Sequence, residues 1–91
     1  MRYRLKWGTN EAKQNYSRLS SKLKQQFREE IENLQVDPYP SYSEALEREL
    51  QDRRKIKING WRLVYRVYED DLLVVILMVR PRNRRTYLNV L

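Results

Sequence analysis

Neither cysteine nor histidine occurs anywhere in this 91-residue chain. Without cysteine there are no disulfides, no thiolate zinc sites and no thiol nucleophile. Without histidine, the usual general base and the commonest protein metal ligand are gone as well. Glycine (two) and proline (three) are scarce, and no linker, repeat or low-complexity tract divides the sequence. The longest apolar run, Leu72 to Val79, has eight residues, far short of the ~20 that span a bilayer. Arg2, Arg4 and Lys6 break up the N-terminus, so no signal peptide is expected. A soluble cytoplasmic protein with no membrane partner follows.

Acidic residues are missing from one half. Residues 53–91 hold ten Lys/Arg against three Asp/Glu, whereas residues 1–52 hold nine of each. The whole net charge of +7 therefore belongs to the second half. It is threaded through Arg53-Arg54-Lys55-Ile56-Lys57-Ile58, Trp61-Arg62-Leu63-Val64-Tyr65-Arg66 and the cluster from Arg80 to Arg85. Cations alternating with apolar and aromatic residues predict a folded surface that meets phosphates. A chain this short buries only roughly 60–65% of its unfolded surface. One domain spanning 1–91 with a shallow cleft is expected, which suits a macromolecular substrate better than a small-molecule ligand.

The pattern along the chain changes period once. Tyr3 to Trp7 alternates and stops at Gly8, as a short strand does. Thr9 or Asn10 can cap a helix, and Ala12, Tyr16, Leu19, Leu23, Phe27, Ile31 and Leu34 then form one apolar stripe. Ser20-Ser21 is the one plausible break, leaving one helix or two. Asp37-Pro38-Tyr39-Pro40 ends the helical pattern. Ser41 and Glu44 have capping-box spacing, so 43–51 reads either as a short helix or as an irregular charged connection. Beyond residue 52 the period is two. Arg53, Lys55 and Lys57 share one strand face and Ile56 and Ile58 the other. Asn59-Gly60 signals a tight hairpin into the strand Trp61–Tyr68. Glu69-Asp70-Asp71 suits the next turn, and Leu72–Val79 reads as a strand buried on both faces, ended by Pro81. The expected fold is α+β: an N-terminal strand, a helical hairpin, then an antiparallel meander with a short basic C-terminal segment.

At these residues the chain resembles the RelE/ParE toxins of prokaryotic toxin–antitoxin modules. Lys55-Ile56-Lys57-Ile58, a tight turn, Trp61-Arg62-Leu63-Val64-Tyr65, a hydrophobic strand, then Arg82-x-Arg84 and Tyr87 look like the RelE branch. Two features depart from it. Leu46-Glu47-Arg48-Glu49-Leu50 stands where many members carry Leu-(Lys/Arg)-Gly, and the spacing from the strand to Tyr87 is one residue shorter than in some. The resemblance implies a toxin that binds in the ribosomal A site and cuts the mRNA there, held in check by a protein antitoxin. Its implied partners are thus ribosome, mRNA and a cognate antitoxin.

RNA cleavage by its own 2′-hydroxyl needs a base, positive charge on the phosphorane and stabilisation of the 5′-oxygen. With no histidine, Lys55 and Lys57 are the candidate bases, ~6–7 Å apart on one strand face. Crowded cations give up protons more readily, while a bound phosphate opposes this, so which lysine acts stays open. Arg62 and Arg82 suit a bidentate grip on phosphate oxygens, and the resemblance allows Arg82 a leaving-group role. Tyr87 can stack on a base or exchange a proton. Arg53, Arg80, Arg84 and Arg85 are expected to attract RNA. No cofactor or metal is expected, because the carboxylates are not clustered as Mg²⁺ would require. The rival readings are a gyrase inhibitor like ParE, and a basic RNA-binding module in which these cations are only a solvated strand face.

Overall fold

A computed structural model describes residues 2–46 and 52–82 of the chain. Strand β1 (Arg4–Trp7) is followed by helices α1 (Asn10–Ser17) and α2 (Ser21–Val36), then by strands β2 (Glu44–Ala45), β3 (Arg53–Ile58), β4 (Trp61–Tyr68) and β5 (Leu73–Pro81). The strands form one sheet in the order β1-β5-β4-β3-β2. The architecture is α+β, as expected from the change of period.

The helical stripe resolves into two helices, and serine explains the break. Thr9 caps α1 by accepting from the Ala12 N–H at 3.0 Å. Ser20 caps α2 through the Leu23 N–H at 3.3 Å. Serine at that place serves the N-cap, where its hydroxyl takes up an N–H that has no partner inside the helix. The two helices and the connection between them set Ala12, Leu19, Phe27, Ile31 and Leu34 against Ile56, Ile58, Leu63, Tyr65, Val74, Ile76 and Val79 of the sheet. Full burial of a side chain such as Phe27 or Leu34 contributes about 1.5–3 kcal/mol. Phe27 also meets Trp61 edge-on at 6.3 Å.

Strand β1 pairs in parallel with β5, while β2/β3, β3/β4 and β4/β5 are antiparallel. Asn59 (φ 47°) and Gly60 (φ 82°) both have positive φ. A type I′ hairpin demands this at its two central residues, so Asn-Gly sets the β3/β4 register.

Two expectations need correction. Segment 43–51 does not begin as a helix: Glu44 and Ala45 pair with Lys55 and Arg54 as β2. The Ser43 hydroxyl is engaged elsewhere, donating to the Pro40 carbonyl at 2.7 Å and accepting from Arg54 Nε at 2.9 Å. Residues 47–51 lie outside the described residues. Strand β5 is also not buried on both faces throughout. Leu72 belongs to the preceding turn (φ 48°), and Leu77 and Met78 are half-buried. The register slips there, Val64 facing Met78 and Tyr65 facing Ile76, so Leu77 is the extra residue of a bulge.

Candidate active site

Strand alternation puts the helices and the cations on opposite faces. Ile56, Ile58, Leu63 and Tyr65 point into the helix-covered core. Arg53, Lys55, Lys57, Arg62, Val64 and Arg66 therefore share the other face, which no described helix covers. Lys57 stands opposite Arg62, and Arg53 opposite Arg66, in the β3/β4 ladder. Strands lie about 4.8 Å apart, so these are close neighbours. Lys55 is directly opposite Val64, with its side chain 25% exposed, and Lys57 is exposed.

The middle of this face is apolar. Among the described residues, Leu46, Arg53, Arg62, Val64, Leu77 and Met78 line a shallow depression of about 360 Å³. The bulge at Leu77 supplies two successive apolar side chains to its floor. A floor of this kind flanked by Arg53 and Arg62 can seat a ribose or base while the guanidinium groups grip phosphate.

The predicted site residues separate into three groups. Lys55, Lys57, Arg62 and Arg53 come together on this face. Arg82 stays beside the hairpin, its backbone N–H donating to the Gly60 carbonyl at 2.8 Å. Arg80 is opposite Arg62 in register, but its guanidinium pairs with Glu11 at 2.7 Å, which commits it to the start of α1. Tyr87, Arg84 and Arg85 lie outside the described residues.

Three further residues here escaped the sequence reading. Arg66 bonds Asp52 at 3.0 Å and lies over the Tyr68 ring at 4.6 Å. Both were legible in principle, because Arg62, Val64, Arg66 and Tyr68 continue a period of two. Glu44 is the third. Its Oε2 lies 3.6 Å from Lys55 Nζ, across the β2/β3 ladder. No periodicity betrays a strand of two residues.

The position of Glu44 is held from the other side of the sheet. Arg54 Nε and Nη2 donate to the hydroxyl and carbonyl of buried Ser43, at 2.9 and 3.2 Å. The Arg54 guanidinium also lies 5.5 Å from the Tyr39 ring centre. Ser43 thus fixes where the chain joins β3, and the next residue, Glu44, falls opposite Lys55.

Comparison with known proteins shows the family and the fold. Residues 8–86 match the family described as the ParE toxin of the type II toxin–antitoxin system parDE. A RelE-like toxin protein of Escherichia coli is 31% identical, over 99% of this chain and 94% of its own length. In structure, the chain is similar to RelE in an archaeal RelE–RelB complex from Pyrococcus horikoshii, at 25% identity and TM-score 0.78. That match covers 92% of this chain and 99% of the other. The isolated E. coli RelE toxin shares the fold at 22% identity and TM-score 0.77, covering 98% and 99%. No described helix is long and apolar enough to cross a membrane. The chain belongs to the RelE/ParE family of type II toxin–antitoxin toxins.

Proposed function

We propose that this toxin is an endoribonuclease that cleaves mRNA in the ribosomal A site by attack of the 2′-hydroxyl on the adjacent phosphate. The observation that carries the reading is the grouping of Lys55, Lys57 and Arg62 on one sheet face, on which Arg53 and Arg62 also line an apolar depression. Lys57 and Arg62 bind the scissile phosphate and stabilise the phosphorane, with Arg82 beside the hairpin contributing charge at the 5′-oxygen. Tyr87 stacks on a base, and Arg53, Arg84 and Arg85 add attraction for RNA. Arg80 contributes less, because Glu11 already holds it. Such equipment is weak alone. If the ribosome orients the mRNA for in-line attack, positioning supplies much of the acceleration and the protein supplies charge. The partner expected from the likeness to the archaeal RelE–RelB complex is an antitoxin whose acidic or amphipathic segment covers the basic face.

The test is a reconstituted translation reaction on a defined mRNA, with new 5′ ends mapped by primer extension. Cleavage in the A-site codon that requires ribosomes, and that falls about 10²–10³-fold in Lys55→Ala and Arg62→Ala, is expected. A folded protein that makes no cut overturns the reading. The match to the ParE family favours gyrase as the second target. Double-strand breaks in plasmid DNA incubated with gyrase and the toxin would then replace mRNA ends.

A further inference from the structure

The cationic face carries a second depression beside the first, and Leu77 lines both. Its volume is about 340 Å³, with Leu73, Val75 and Leu77 of β5 as the floor and Lys6 and Tyr68 on its two sides. Register explains the arrangement. Val75 pairs with Lys6 of β1 on one side and with Arg66 of β4 on the other, and Arg66 in turn faces Arg53. At about 4.8 Å per strand, Lys6 and Arg66 flank the apolar floor roughly 10 Å apart at the backbone. Leu73 pairs likewise with Tyr68.

Two features keep the depression open and ordered. Gly8 borders it, where a Cβ would come within 2.6 Å of Val75 Cγ1 and 2.9 Å of Leu77 Cδ2. Any side chain at that position would crowd the floor. Asp52 holds Nε of Arg66 at 3.0 Å, and the guanidinium lies 4.6 Å from the centre of the Tyr68 ring. Arg4, the other β1 cation on this face, is engaged by the Asp71 carbonyl at 3.3 Å, at the end of the depression. Lys6 is therefore the β1 cation that meets a ligand.

We propose that this depression is a second nucleotide-binding subsite, which takes a nucleotide of the mRNA a few positions from the scissile phosphate. The base packs on the β5 floor and against the Tyr68 ring, while Lys6 and Arg66 hold the adjoining phosphates. Arg62 and Arg66 are four residues apart on β4, roughly 13 Å, so one RNA strand reaches both sites. The assignment rests on the endoribonuclease reading only in taking RNA as the ligand, and on no step of the cleavage.

The experiment measures binding of a fluorescein-labelled 2′-O-methyl hexaadenylate, which lacks the attacking hydroxyl, by anisotropy across a range of salt. Wild type, Tyr68→Leu, Tyr68→Phe, Lys6→Ala and Lys22→Ala are compared, each checked for folding by circular dichroism. Lys22 is an exposed lysine of α2 and controls for net charge. Tyr68→Leu should bind about ten-fold more weakly, whereas Tyr68→Phe, which keeps the stacking ring, should bind like wild type. Lys6→Ala should lower the slope of log affinity against log salt by about 0.7, and Lys22→Ala should leave it unchanged. Tyr68→Leu binding as tightly as wild type overturns the proposal, as does an equal change of slope in the two lysine variants. So does a wild type with no affinity for the hexanucleotide. Unaltered RNA binding in Tyr68→Leu together with a lost antitoxin complex would give the depression to a protein instead. Ribosome-dependent cleavage is followed in parallel. Wild type that binds with these dependences yet cuts no mRNA sinks the endoribonuclease reading and leaves the subsite standing. Wild type that cuts, with variants that bind unaltered, sinks the subsite alone.

Discussion

The two ends of the sheet treat charge in opposite ways. At the β4–β5 turn, the Glu69 carboxylate accepts from the Tyr3 hydroxyl at 2.8 Å and from the Tyr39 hydroxyl, tying the N-terminus, the segment after α2 and the turn together. Nearby, Gln35 and Tyr3 exchange backbone and side-chain bonds at 2.7 and 3.0 Å, and Arg4 donates to the Asp71 carbonyl. At the Asn59-Gly60 end, by contrast, Lys57 faces Arg62 and Arg62 faces Arg80. Like charges placed directly across strands cost roughly 0.2–1 kcal/mol each. One end spends its polar groups on closure of the fold. The other sets cations side by side on one face, where a polyanion can bind, which is how a binding surface differs from a structural one.

The largest expected change on the structural side comes from Tyr65. Its ring is fully buried in the sheet core, and its hydroxyl donates to the Pro38 carbonyl at 2.8 Å. Burial pushes its phenol above the ordinary tyrosine value, with neighbouring Ser43 and Arg54 opposing in part. Tyr65→Phe keeps the shape but leaves a buried carbonyl short of its donor, so a loss of about 1–3 kcal/mol is expected. Urea unfolding measures it. An unchanged midpoint would mean that the segment from Asp37 to Ser43 is not anchored through this bond.

The cationic end should respond in the other direction. Lys57→Thr removes one partner of a like-charged pair and adds a residue that suits a strand. A gain of about 0.2–1 kcal/mol is expected, together with slower RNA cleavage. The gain should shrink as salt rises, because the repulsion it relieves is exposed to screening. Urea midpoints at low and high salt provide the check, and a loss of stability at low salt would erase the contrast between the two ends.

The contrast also marks what could be read beforehand. Asn59-Gly60, the alternation around Lys55-Ile56-Lys57 and the stripe from Ala12 to Leu34 are local, and the hairpin, the cationic face and the helices follow from them. The features missed depend on distant segments. Glu44 sits opposite Lys55 because Arg54 holds Ser43, and the capping-box spacing of Ser41 and Glu44 left only a short helix or an irregular connection in view. The bulge at Leu77 appears only when β4 and β5 are in register. Glu69 with Tyr3 and Tyr39 joins residues 66 and 30 positions apart, and no spacing rule links them. Tyr87 was legible as a motif residue but lies outside the described residues, so its role rests on the resemblance.

The smallest expected effect concerns acid, because Glu69 is exposed and its interactions are screened by water. Hydrogen bonds from Tyr39, then from Tyr3, hold its carboxyl below the usual value. A group whose value is depressed on folding stabilises the folded chain above its unfolded value. That contribution is lost as pH falls through the lower, folded value. The tyrosine hydroxyls behave in the opposite sense. Tyr39 is raised, by burial first and by Glu69 second, so its contribution is complete below the ordinary phenol value and lost in strong alkali. Glu69→Gln should therefore flatten the acid side of the stability profile, measured as Tm against pH, and leave ribosome-dependent cleavage at neutral pH unchanged. A variant that lost cleavage while keeping its acid profile would place Glu69 among the functional groups, and the division between the two ends of the sheet would fail.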